Sequence, residues 1–237
     1  MLDQDSPSSF ASKPSVRVTC VSVRRFACLG VGWVALALLA PGCASYRPTE
    51  SGYLGDYSGL QKDPVHLNRG FGLQRNKSHD ASPEEACRID SFYLEPSRWL
   101  VDESSRAGGN PKREAILTAA LQEQLREQLG ALKPIVDQPG PNTATVRSAI
   151  TRVKLSRPLL NAALLVTAIT PVFIGPIFNG GGSVEAEVIG PDGHQVSAIS
   201  CVSGGGFLDV YGYFTKSNHA IKAMKRSVRE LVQTLEP

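Results

Sequence analysis

Apolar and polar positions along the chain sort it into segments with distinct periods. Between Pro111 and Gly130, residues Ile116, Leu117, Ala120, Leu121, Leu125 and Leu129 recur at three- and four-residue spacing. Gln122, Glu123, Gln124, Arg126 and Glu127 fill the other positions as a solvated face. This is the period of an amphipathic helix. Asn110 offers its cap, and Pro111 suits the first turn. Ser217 to Leu235 repeats the pattern, with Ile221, Met224, Val228, Leu231 and Leu235 on one face and Lys222, Lys225, Arg226 and Arg229 opposite. Between these helices the period shortens to two. Val184, Ala186 and Val188 alternate with Glu185 and Glu187, and Asp192-Gly193 marks a turn before residues 195–203, which predicts a hairpin. Its two glutamates then fall on one strand face, read as solvent-exposed. Residues 86–95, Ile135-Val136 and Thr143–Leu155 read as further strands. The predicted class is α+β: a mostly antiparallel sheet with two amphipathic helices packed on one face, forming a single domain over residues 84–237.

Ahead of that domain the pattern is lost. Residues 43–83 are frequent in Ser, Gly, Asp, Asn and Pro, and Tyr53, Leu54, Tyr57 and Leu60 show no sustained period. The segment reads as a flexible tether, although Tyr and Leu are costly to leave wet. Further upstream, Phe26–Ala40 is an uncharged apolar run behind Arg17, Arg24 and Arg25. It is too short for a bilayer core of roughly 30 Å and suits the apolar region of a secretory signal. Residues 1–42 are accordingly a signal peptide, with the polar stretch 1–20 an upstream extension. Leu39-Ala40-Pro41-Gly42-Cys43 resembles the bacterial lipoprotein cleavage box, with the leucine one place early and an unusual proline beside the cut. That resemblance implies a diacylglycerol on the Cys43 sulfur and an acyl chain such as palmitate on its freed amine, together a stable membrane anchor. Arg24-Arg25-Phe26 is similar to a twin-arginine export signal, but its Phe is one place early, and general secretion fits better. Ala44 and Ser45 follow the cysteine with no Asp, which points to the outer membrane, with the domain facing the periplasm.

A second apolar stretch, residues 159–178, is interrupted only by Asn161, Thr167 and Thr170 among polar residues. It is long enough to cross a bilayer, but Pro171, Gly175 and Pro176 argue against one straight helix. We expect a short buried or interfacial helix and then an extended segment, either packed in the core or in contact with lipid or an envelope protein.

Charge and candidate chemistry narrow the picture. The chain of 237 residues carries a formal charge of +3. Removing the leader takes away four basic and two acidic residues and leaves +1. Such a balance argues against a nucleic-acid partner, whose phosphates demand clustered Lys and Arg. Cys87 and Cys201, both in segments read as strands, are a candidate disulfide in an oxidising compartment, the alternative being two buried thiols. A bridge would close a loop of more than 100 residues, worth about 4–5 kcal/mol in the chain-entropy model. His66, His79, His194 and His219 are scattered, with no metal-ligand or nucleophile spacing. The glycine runs at 180–182 and 204–206 lack the Lys-Ser/Thr of a phosphate loop and read as turns. No cofactor or metal is expected.

Ser51-Gly52-Tyr53-Leu54-Gly55-Asp56-Tyr57-Ser58-Gly59-Leu60, shortly after Cys43, resembles the opening of the domain-of-unknown-function 3313 bacterial lipoproteins. Gly181-Gly182-Ser183-Val184-Glu185-Ala186-Glu187, the Asp-Gly turn and the basic C-terminal helix resemble the same family. Where that family typically has a Thr-Gly-Glu-like turn, this chain has Asp192-Gly193-His194, so no role for an acid there carries over. The resemblance implies a lipoprotein domain and no known reaction. Three function classes follow: a non-enzymatic binding module, a structural accessory of an envelope complex, and, third, a hydrolase of envelope polymers.

Overall fold

The computed structural model describes residues 48–62, 75–156, 180–204 and 217–236. The signal, Cys43 and the apolar stretch 159–178 lie outside these residues. In chain order the described elements are β1 (Gln61–Lys62), β2 (Arg75–His79), α1 (Pro83–Arg88), β3 (Ser91–Leu94), β4 (Arg98–Trp99), α2 (Pro111–Gly130), β5 (Ile135–Val136), β6 (Thr143–Lys154), β7 (Gly181–Ile189), β8 (Gln195–Gly204) and α3 (Asn218–Gln233).

The strands form one sheet in the order β1-β2-β8-β7-β6-β3-β5, with β4 pairing β6 beside β3. Its centre, β2-β8-β7-β6, is antiparallel, and β3, β4 and β5 add parallel pairings at one side. The class is therefore α+β with a mostly antiparallel sheet, as the periodicity predicts. The β7–β8 hairpin runs in the register Val184↔Cys201 and Ala186↔Ile199. Its turn carries Gly193 at φ +81°, a left-handed conformation that glycine adopts without strain. Gly181 and Gly182 lie inside β7 and not in a turn.

Both long helices cover one face of this sheet. Leu117, Leu121, Leu125 and Leu129 of α2 are buried at four-residue spacing, while Ile116 stays half exposed. From α3, Ala220, Met224, Val228 and Leu231 meet Val184, Ala186, Val188, Ile199 and Cys201 in the main core. Burying one such Leu or Met is worth roughly 1.5–3 kcal/mol, so this face supplies most of the apolar stabilisation.

Three sequence expectations need correction. Residues 83–88 are a helix and not the start of a strand, because Ser82 and Glu85 close a reciprocal capping box and Pro83 opens the first turn. Cys87 is consequently exposed on α1, Cys201 is buried in β8, and no disulfide joins them. Finally, the segment expected to be a tether belongs to the folded unit from residue 48. Residues 75–79 are a strand paired with β8, and residues 48–60 lie on the sheet face opposite the helices.

Candidate functional site

Alternation in β7 puts Glu185 and Glu187 on the face away from the helices, and Arg147, Ala149, Ser200 and Ala198 join them from β6 and β8. Both glutamates are fully buried, the reverse of the solvent-facing expectation. A buried carboxylate is tolerated only when its lone pairs are satisfied, and here the N-terminal segment satisfies them. Glu185 accepts from the Ser51 amide at 3.0 Å, the Ser51 hydroxyl at 2.7 Å and the Tyr57 hydroxyl at 2.5 Å. Glu187 accepts from the Gly55 amide at 2.8 Å, the Arg147 guanidinium at 2.8 Å and the Gln195 amide at 2.7 Å. We call residues 48–60 the strap.

Each strap residue has a reason for its type. Gly52 sits at φ +82°, where a side chain would be strained. The Tyr57 hydroxyl accepts from the amides of Gly52, Tyr53 and Leu54 while donating to Glu185, so one phenol closes the loop around itself. Burial and the hydrogen bond to Glu185 raise its pKa, which keeps it a donor. Tyr53 and Leu54 bury their apolar bodies against Ala149 and Ala198. Arg147 lies over the Tyr53 ring at 5.1 Å and reaches Glu95 as well as Glu187. Thr49 fastens the leading end through its hydroxyl to Thr151 at 2.6 Å and its carbonyl to Ser200 at 2.5 Å.

A second polar cluster stands where β6 ends and β7 and α3 begin. Ser156 Oγ lies 3.0 Å from His219 Nδ1, and the Gly180 amide donates toward both. Ser156 and His219 are each 1% exposed, so the trio serves as a clasp across the two ends of the 157–179 connection. Sequence spacing did not reveal it, since 63 residues separate the partners. His194 stays exposed in the hairpin turn. A cavity of about 300 Å³ opens beside the clasp, lined by Val153, Leu155 and Val202 with Arg106, Arg152 and Lys154. Among the described residues no helix is long and apolar enough to cross a membrane.

These features define an α+β domain with its sheet clad by two helices on one face and by its own N-terminal strap on the other. The family described as "Protein of unknown function (DUF3313)" matches residues 49–227, and the chain belongs to that family. The match begins within the strap, at Thr49. The solved structures to which the chain is similar include two of PelC from Paraburkholderia phytofirmans. A PelC dodecamer in space group P6 is 12% identical, with a TM-score of 0.40, covering 70% of this chain and 99% of that one. A substituted PelC dodecamer in space group C2 is 13% identical, with a TM-score of 0.39, covering 69% and 96%. At that distance neither carries an inference about function. No curated protein matches the sequence significantly.

Proposed function

We propose that this chain is an envelope lipoprotein, anchored in the outer membrane through lipid on Cys43 and using its domain as a non-enzymatic binding module on the periplasmic side. The observation that carries this reading is the strap. It is locked to the sheet through two buried glutamates, and Thr49 at its leading end follows Cys43 by only six residues in the sequence. The apolar run and small-residue box before Cys43 support secretion and lipidation. The strap's amides and hydroxyls, with Arg147 and Gln195, occupy Glu185 and Glu187, which supports a structural role over acid–base chemistry. The apolar residues 159–178 are the proposed contact with lipid or an envelope protein. In a second arrangement of the same kind, the module is an accessory of an envelope complex.

Replacing Cys43 with Ser tests the anchor. Palmitate labelling should vanish and the domain should move to the soluble fraction. Persistent membrane binding would sink the Cys43 anchor and transfer the role to residues 159–178. The competing hydrolase reading has one observation in its favour, the 3.0 Å approach of Ser156 to His219. A serine-directed phosphonate that labels Ser156 would establish it over the binding module.

A further inference from the structure

The chain reaches its sheet, and leaves it twice, at the same end. Thr49 lies beside Thr151 and Ser183, close to the Lys154↔Gly181 pair that ends the β6–β7 ladder. From there the strap runs to Gly55 and Asp56, which meet Glu187 and Gln195 next to the hairpin turn. It therefore enters from the Lys154–Gly181 end, with Cys43 five residues upstream of Pro48, a reach of at most about 18 Å. Ser156 and Gly180, which flank the apolar stretch 159–178, are hydrogen-bonded to each other at this end. Gly204 and Ser217, which flank a connection containing Phe207, Tyr211, Tyr213 and Phe214, belong to it too.

Charge distinguishes the two ends as well. The cavity bordered by Arg106, Arg152 and Lys154 opens here, with the acids Glu50, Asp102 and Glu103 in the same region, and Arg226 binds the Ser203 hydroxyl and the Gly204 carbonyl nearby. The opposite end gathers Asp56, Glu85, Asp90, Asp192 and Glu236, together with Arg88 and Lys133, around the hairpin turn and the start of β3. A bilayer surface with anionic headgroups favours the first end, where cations border the cavity, over the second, where acids outnumber bases.

We infer that the Lys154–Gly181–Gly204 end of the domain seats on the bilayer, with Arg106, Arg152 and Lys154 holding anionic phospholipid headgroups at the mouth of their cavity. This rests on the Cys43 anchor and adds an orientation to it. The nine residues of β7 then hold the Asp192-Gly193 turn about 30 Å above the surface, facing the periplasm.

Depth-resolved quenching tests the orientation. In a Cys87→Ser background, a fluorophore is attached at Ser104→Cys, in the Arg106 loop, or at Asp192→Cys, in the turn. The lipidated protein is reconstituted into phosphatidylethanolamine–phosphatidylglycerol vesicles with headgroup-nitroxide lipid. The dye at position 104 should be quenched several-fold more than that at 192. Equal quenching, or the reverse order, overturns the orientation, whereas palmitate labelling reports on the anchor independently. Lipid-free Cys43→Ser protein should also prefer these vesicles to phosphatidylcholine. Exchanging Arg106, Arg152 and Lys154 for Gln should lower its partitioning roughly hundredfold, about fivefold per basic group. Partitioning indifferent to those substitutions overturns the headgroup site. Self-association that shields position 104 without vesicles would assign this end to a second copy instead.

Discussion

Glu187 is 0% exposed and shares its oxygens among Arg147, Gly55 and Gln195. Substituting it with Ala leaves the Arg147 charge half-buried and a strap amide without its acceptor, which should cost about 3 kcal/mol in urea unfolding. Tyr57→Phe removes the donor to Glu185 and the acceptor for three amides, a loss of about 1–3 kcal/mol. Faster hydrogen exchange confined to residues 48–60 would show where it acts. Tyr57 and Tyr53 both have pKa values raised above 10.0, chiefly by burial. A raised tyrosine pKa means that the folded state holds the proton more tightly than the unfolded chain. The stabilisation is thus complete below pH 10 and fades as pH climbs through the folded values. We expect alkaline release of the strap, followed by tyrosinate absorbance, with the Tyr57→Phe variant losing part of that dependence. At this scale the sequence showed which face Glu185 and Glu187 share, but not what covers it. Ser51 lies 134 residues from Glu185, and no local period encodes such a pairing.

Elements with a long apolar repeat were legible. The helices expected near 112–130 and 217–235 occupy Pro111–Gly130 and Asn218–Gln233, and the hairpin expected at 183–203 occupies Gly181–Gly204. Elements held by other forces were not. β2 reads Arg-Asn-Lys-Ser-His and has no apolar alternation; it exists because β8 offers it a ladder. Helix α1 announces itself only through Ser82-Pro83-Glu84-Glu85, a capping signal hidden within an expected strand. Ser82→Ala should therefore cost about 1 kcal/mol, with the loss concentrated in α1 and detectable as local exchange near Cys87. Thiol titration reads the same geometry. Native protein with Cys43 lipidated should react once, at Cys87, and a second time only after unfolding exposes Cys201. No uptake of reagent by either native or unfolded protein would contradict the separation of the two thiols.

For the whole molecule, the consequential difference between pattern and fold lies in where the domain starts. Composition put the boundary at residue 84, because Ser, Gly and Asp dominate the stretch before it; the contacts of Thr49, Ser51 and Gly55 with the sheet place those residues inside the folded unit. A tether of some forty residues would let the domain wander from Cys43, whereas the strap leaves only a short link between that cysteine and the sheet. Insertions distinguish the two arrangements. Ten Gly and Ser residues placed between Arg47 and Pro48 lengthen only the link to Cys43, and melting should be unchanged. The same insertion between Leu54 and Gly55 separates the half of the strap that binds Glu185 through Ser51 from the half that binds Glu187. Closing that added loop costs on the order of 1–2 kcal/mol, and looser hydrogen bonds at Glu187 add a comparable amount. Thermal melts of the pair should differ by several degrees. Equal melting would return residues 48–60 to the role of a passive tether.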